Sequence, residues 1–431
     1  MAPVLPTLAC LAATALFLQQ AAAQCQNPAG QGTGSRVLAD GYEAKLLASG
    51  LRVPRHMAFD LEGNLLVAEQ GGGGIRRITF QDNGGIDICV TSSQTLIPNG
   101  QLNHGIAVSP LGNTIFASSA TDVYQYDYDA AAGTVGQPKH LITGMRQGGF
   151  HQTRTLLVPL NDPNKLILSR GSEDNVDVAT AQESTGRSII KFWNIDEFTG
   201  TAVDMASTGT TLGWGLRNSV GVGEDPTTGG IWSVENSVDN MRRLGQDVHN
   251  ENPGEELNYH GLINSTEPNE FLGKNYGYPG CYAVWEPSLI TGIDGGAKVG
   301  MQVTSAESPA TQNTDAYCMA ETQSPRLTFP SHTAPLDVKF KHDGSAAYVS
   351  FHGSWNRSPP DGYRLSRIDF RDGQPVAAQD SRDSVVNIMW NANNGACPNG
   401  CFRPTGLAID RDGRIFMSSD TTGEIYVIVE S

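Results

Sequence analysis

The chain has 431 residues and a formal net charge of −16. A charge of this sign argues against nucleic acid and anionic membranes as partners. With 49 glycines and only 17% charged residues, the composition favours a turn-rich all-β protein over a helical one.

Residues 1–23 are apolar and carry no charged side chain. Leu8 to Leu18 form a short apolar run, and Ala21-Ala22-Ala23 offer small residues for cleavage before Gln24. This reads as a secretory signal rather than a membrane anchor, because the run is short and no second one follows. The mature protein is then expected to be extracellular, with residues 24–431 as one domain. Loss of the signal removes Cys10 and leaves Cys25, Cys89, Cys281, Cys318, Cys397 and Cys401. An even number in a secreted chain points to disulfides. Cys397 and Cys401 can close one tight turn, Cys281 and Cys318 bracket one insertion, and Cys25 is left with Cys89. Asn264-Ser265-Thr266 and Asn356-Arg357-Ser358 are glycosylation sequons; Pro359 counts against the second.

From residue 57 onward a unit recurs: an apolar strand, an acidic turn with Gly, a second apolar strand, then a small or polar residue. Copies fall at 57–69, 106–118, 156–169, 220–234, 338–350 and 407–419. Further strands follow, as at 75–78, 123–126, 189–192 and 425–428. His56, His104 and His151 are 48 and 47 positions apart. A unit of about 45 residues with four short strands is a propeller blade. The expected fold is therefore an all-β, six-bladed propeller with four-stranded antiparallel blades. Residues 43–48 precede the first copy and are expected to supply the outer strand of the last blade, closing the ring. Residues 261–330 are expected to form loops over one face, fastened by Cys281 and Cys318.

In such a ring the six inner strands start at one end of the central channel. Five entrances carry Arg, His or Asn at one register: Arg55-His56, Asn103-His104, His151 to Arg154, Arg217-Asn218 and Arg403. Arginines converging on one mouth suit a small planar polyanion, since each guanidinium matches a carboxylate or phosphate; the competing reading pairs them with nearby Asp and Glu. His151 is a candidate general base, against a purely structural histidine. His104 and His352 carry the same two readings. Trp355 is placed to stack on a flat ligand or to fill a loop core. Glu235, Asp239, Asp247, Glu255 and Glu256 supply hard oxygens suited to calcium, or a solvated acidic loop.

Taken together, these motifs resemble the PQQ-dependent sugar dehydrogenases with a six-bladed propeller, and among them the secreted fungal pyranose dehydrogenases. The resemblance rests on Gly215-Leu216-Arg217-Asn218, Gly254-Glu255-Glu256-Leu257-Asn258, Asn275-Tyr276-Gly277-Tyr278-Pro279, Thr333-Ala334-Pro335, His352-Gly353-Ser354-Trp355-Asn356-Arg357 and Phe402-Arg403-Pro404-Thr405-Gly406. It implies PQQ and Ca2+ as cofactors. It implies catalytic roles for His151, as base toward the sugar C1 hydroxyl, and for Arg217. It places Arg55, His104, Arg217, Asn218, His352, Trp355, Arg357 and Arg403 around PQQ, and Gln101 or Asn103 near the substrate mouth. It places one calcium at Ser237, Val238 and Asp239, and a second at Glu255, Glu256 and the Tyr276 carbonyl. His352 and Cys401 stand where glucose-oxidising relatives carry Lys and Arg.

The expected activity is oxidation of a pyranose at C1 by hydride transfer to the quinone. Electrons then pass to an external acceptor, a copper polysaccharide monooxygenase or a small quinone or phenol, because the sequence ends directly after the last blade strand. A monomer is expected. Two other functions compete: a calcium-dependent lactonase propeller, which needs no arginine ring, and a non-catalytic carbohydrate-binding propeller, which needs no histidine beside the arginines.

Overall fold

Residues such as Leu65 to Ala68 are fully buried along an unbroken run. Successive strand side chains point to opposite faces, so such a strand needs an apolar neighbour on both sides. Leu65 and Val67 pack with Met57, Ala408, Phe416 and Val427. Leu66 and Ala68 face the other way, toward Ile106, Ile115 and Tyr126. The same two-sided packing is repeated around the molecule and stacks the sheets radially.

The computed structural model describes residues 27–28, 30–264, 268–305 and 314–430. Six sheets form the six blades of a β-propeller. Their two innermost strands are Pro54–Phe59 with Leu65–Glu69, Leu102–Val108 with Thr114–Ser119, Leu156–Leu157 with Lys165–Arg170, Ser219–Glu224 with Gly230–Glu235, Pro335–Phe340 with Ala346–Phe351, and Pro404–Ile409 with Ile415–Ser419. These are blades 1 to 6. The acidic turns between them hold themselves. In blade 1, Asp60 Oδ1 accepts from the amides of Glu62 and Asn64, and Gly63 takes the left-handed conformation, φ +79°. Asp410 and Gly413 repeat this in blade 6.

Tyr42–Ala48 pairs antiparallel with Glu424–Glu430 and closes the ring as expected. Arg36–Leu38 adds itself to the outer strand Val386–Asn391 of blade 5. The four-strand expectation holds for blades 1, 4 and 6. Blades 2 and 3 gain a short parallel edge strand, Val203–Asp204 and Lys274–Asn275 respectively.

The stretch 261–330 departs from the expected loops. Cys281–Ala283 pairs with Gln302–Thr304, and Asp315–Glu321 is a helix. Leu327–Phe329 is the outermost strand of blade 4. The insertion has its own core of Tyr278, Tyr282, Val284, Ile290 and Val303. Cys281–Cys318 and Cys397–Cys401 are disulfides, as read. Cys89 is also disulfide-bonded; its expected partner Cys25, like residues 1–23, lies outside the described residues. So do Ser265 and Thr266 of the first sequon. In the second sequon Asn356 Nδ2 is buried.

The closing strand should be the part of the fold most sensitive to truncation of one side chain. Leu47→Ala, at a fully buried site between blades 6 and 1, is expected to cost about 2–5 kcal/mol in urea unfolding. Glu43→Ala, exposed on the same strand, should stay within about 0.5 kcal/mol.

Candidate active site

Each inner strand begins at the channel mouth, and its antiparallel partner ends there. Both registers therefore deliver side chains to one place. The starts bring Arg55, Asn103, Arg217, Asn218 and Arg403. The residues directly after the second strands are Gln70, Ala120, Gly171, Asn236, His352 and Asp420. Two adjoining cavities open here, of about 230 and 310 Å3. His151, Asn218, Asn236 and Trp355 line both. Arg217, Ser237, Asp239, Glu255 and His332 belong to the smaller, and Arg55, Gln70, His352 and Arg403 to the larger.

His151 has a defined tautomer. Ser172 Oγ donates its proton to the Asp174 carbonyl (2.7 Å). It can therefore only accept from His151 Nδ1, 2.9 Å away, as does the Ser172 carbonyl at 3.1 Å. Nδ1 carries the hydrogen and Nε2 keeps its lone pair. Desolvation, then the positive field of Arg217, lowers the imidazole pKa to about 3 from the ordinary 6.5. Gly171 allows this packing: a Cβ there would lie 2.5 Å from Asn218 Oδ1 and 2.8 Å from His151 Cβ.

Arg217 is buried and held on all sides. Nε donates to the Asn175 carbonyl (3.0 Å), Nη1 to the Asn236 carbonyl (3.2 Å), and Nη2 to Asn175 Oδ1 (2.8 Å) and Asp239 Oδ2 (3.0 Å). Desolvation would raise the Asp239 pKa, but His332 and Arg217 hold it below the ordinary range. His332 stands at φ +61°. Its Nε2 donates to the His249 carbonyl (2.6 Å) and its Nδ1 lies 3.6 Å from Asp239 Oδ1.

Beneath the larger cavity runs a buried ionic network. Arg55 Nη1 meets Asp420 Oδ2 at 2.5 Å and its Nε donates to His104 Nδ1 at 3.3 Å. His352 Nδ1 accepts from Arg403 Nη2 (3.0 Å), so His352 Nε2 holds the hydrogen and donates to Asp420 Oδ1 (2.9 Å). His104 stacks on His56 at 5.5 Å, and His56 meets Lys339, which pairs with Asp337. Burial, foremost, depresses the pKa of His56, His104 and His352. Arg55 Nη2 and Arg403 Nη1 have no hydrogen-bond partner among the described residues.

Several expected placements differ. Arg357 forms a bidentate pair with Glu251 (2.9 and 3.0 Å) and lines neither cavity. His104 lies under Arg55 rather than in a cavity wall. Arg154 turns inward and donates to the carbonyls of His151 and Thr153. Trp355 is 70% exposed and lines both cavities rather than filling a loop core. Asn103 Nδ2 is tied to the Gln152 carbonyl (2.9 Å).

Glu255 and Glu256 do not form one ligand set, because neighbours on a strand face opposite ways. Glu255 faces the smaller cavity and accepts from the amides of Ser237 (2.7 Å) and Ala334 (3.3 Å). Glu256 lies on the other face with Glu235, and Asn258 Nδ2 reaches both (3.0 and 3.2 Å). Gln302 Nε2 beside it donates to the Tyr276 carbonyl (3.2 Å). Desolvation raises the pKa of Glu255, and that of Glu256 to about 7. Asn258 Oδ1 and Gln302 Oε1 are buried without a partner. Val238 is fully buried in the insertion's core.

Sequence reasoning missed Asn175, His332, Gln302, Gln70 and Asp420. The strand-exit register would have found Gln70 and Asp420.

A family model described as TrAA12-like matches residues 36–431. The PQQ-dependent sugar dehydrogenase of Hypocrea jecorina (strain QM6a) is 44% identical over 400 residues, 92% of this chain and 89% of that protein. The PQQ-dependent pyranose dehydrogenase of Coprinopsis cinerea is 39% identical over 410 residues, 91% of this chain but 54% of that protein, so the chain spans about half of its length. A calcium structure of the Trichoderma reesei carbohydrate-active enzyme of family AA12 superposes with TM-score 0.90 at 44% identity, covering 94% of this chain and all of that one. The holo form of the C. cinerea pyranose dehydrogenase PQQ domain gives 0.86 at 38% identity, covering 94% of this chain and 99% of that one. Match, overlap and shared architecture agree along nearly all of the described sequence: the chain belongs to the TrAA12-like family.

Proposed function

We propose that the chain is a secreted, PQQ- and calcium-dependent dehydrogenase that oxidises pyranose sugars at C1. The observation that carries this reading is the neutral His151, with its free Nε2, in a cavity continuous with two arginines that each keep one terminal nitrogen unpartnered. Those nitrogens of Arg55 and Arg403 suit the carboxylates of a planar tricarboxylate. The names of the relatives support the same cofactor.

PQQ, when bound, supplies the two-electron acceptor for hydride from the sugar. Arg55, Arg403 and His352 would hold it from the larger cavity, and Arg217 and Asn218 from the smaller. His151 accepts the C1 hydroxyl proton at Nε2, and Ser172 keeps that lone pair aimed by occupying Nδ1. Arg217 places positive charge beside the base and so keeps it neutral. The sugar leaves as a lactone, oxidised by two electrons.

The donors present also fit a hard cation. Asp239 and Glu255 would hold calcium in the smaller cavity with backbone oxygens of Ser237 and Val238, where it supplies Lewis-acid polarisation. Glu256 would hold a second, with the Tyr276 carbonyl, Glu235 and the orphaned oxygens of Asn258 and Gln302. Among the described residues no cluster of three acidic, His or Cys side chains has metal-ligand geometry, so carbonyl and amide oxygens must complete either set. An external acceptor, a copper polysaccharide monooxygenase or a small quinone, would complete the cycle.

Adding PQQ and calcium to the purified apoprotein should give a quinone absorption band and sugar-dependent dye reduction; no PQQ binding would overturn the reading. His151→Ala should still bind PQQ while turnover falls by about 10²–10⁴.

The pH profile provides a separate check. A base whose pKa lies at about 3 is active when neutral. The acid limb of kcat/KM should therefore lie well below 6.5, with a plateau through mildly acidic pH. A limb at 6.5 or above would contradict the assigned environment of His151.

A further inference from the structure

His151 and Arg217 enter the site from different blades, yet one short segment touches both. Ser172 to Asn175 follows the second strand of blade 3. Ser172 takes the Nδ1 hydrogen of His151. Asn175 takes Arg217 twice, through its carbonyl at 3.0 Å and Oδ1 at 2.8 Å. Oδ1 also accepts from the Asp239 amide (2.9 Å), and Nδ2 donates to the Asp239 carbonyl (3.0 Å). The side-chain amide thus pairs with the backbone of Asp239 as one strand pairs with the next. Its orientation is unambiguous: a flip would set NH2 against two donors, Arg217 Nη2 and the Asp239 amide. The hydroxyl of Tyr278 caps the arrangement, 3.1 Å from the Asn175 carbonyl.

The remaining partners of the Arg217 guanidinium, the Asn236 carbonyl and the Asp239 carboxylate, belong to blade 4, like Arg217 itself. Among the described residues, Asn175 alone ties the guanidinium across to the blade 3 segment that orients His151. We infer that Asn175 is the positioning residue that sets Arg217 against the base. It lines neither cavity and acts through Arg217 and Asp239. The inference rests on the proposed function for its catalytic meaning, but not for its geometry.

The test uses the full chain with PQQ and calcium. Asn175→Ala should lower kcat about 100-fold, as expected for a reacting group displaced by roughly 1 Å. The sugar KM should move less than about threefold. PQQ affinity, read by quenching of tryptophan fluorescence, should weaken about tenfold. Asn175→Asp keeps both acceptor bonds, to Arg217 and to the Asp239 amide, but sets its second oxygen against the Asp239 carbonyl; its kcat should fall less than that of Asn175→Ala. Asn175→Ala with wild-type kcat and PQQ affinity, or with its Arg217 guanidinium unmoved in a crystal structure, would overturn the inference. If the wild type neither binds PQQ nor oxidises sugars, the proposed function fails. The crystal structure of apo Asn175→Ala then decides the positioning role: a displaced Arg217 guanidinium supports it, and an unmoved one rejects it.

Discussion

Burial of charge among low-dielectric strands is the constraint on which the site depends. The channel mouth collects Arg55, Arg217 and Arg403 within walls of fully buried β-structure. Isolated guanidinium groups there would be strongly unfavourable. The fold answers with carboxylates and imidazoles. Asp420 meets Arg55 directly and, through His352, steadies Arg403. Asp239 meets Arg217. Each arginine is oriented by the protein's own hydrogen bonds. Among the described residues Arg55 Nη2 and Arg403 Nη1 are left unpartnered.

The same burial fixes the acid–base character of the mouth. Asp420 sits far below the ordinary carboxylate range, because the pull of His352 and Arg55 outweighs its desolvation. His151 moves the other way, since desolvation and Arg217 both oppose its cation. Among the described residues Glu255 and Glu256 have no cationic partner at hydrogen-bond distance, and their desolvation favours the protonated form. Burial thus pushes the imidazole of His151 down and the two glutamates up, around one buried arginine.

How legible this was depended on periodicity. The inner strands repeat with a fixed turn, so the number of blades, the ring closure and the convergence of Arg55, Arg217 and Arg403 could be read from spacing. Residues after the second strands were harder to place, since Gln70 and Asp420 look like ordinary turn residues unless the antiparallel return is followed. Asn175 lies outside any strand, and its partners are 42 and 64 positions away, beyond any local pattern. Glu255 and Glu256 were grouped because they are adjacent in sequence; strand alternation separates them. Arg357 followed a motif but found Glu251, 106 positions earlier, and this long-range pairing removed it from the mouth.

The insertion of blade 4 is part of the foundation of the site rather than a cover. Val238, between Ser237 and Asp239, is buried in the insertion's core with Tyr278, Tyr282 and Val303. Tyr278 reaches back to the segment that holds Arg217, accepting from the Asp177 amide at 2.6 Å and donating toward the Asn175 carbonyl. Cys281, two residues beyond Pro279, joins Cys318 on the short helix. The disulfide therefore lies in the same module that packs on Val238, next to Asp239, and reaches the Asn175 carbonyl through Tyr278. Loosening it would act on the arginine without touching any cavity wall, because a core transmits displacement through close packing. Propeller blades set the direction of each side chain at the mouth, and this packed insertion braces the segment beyond the two-residue inner strand of blade 3, Leu156–Leu157.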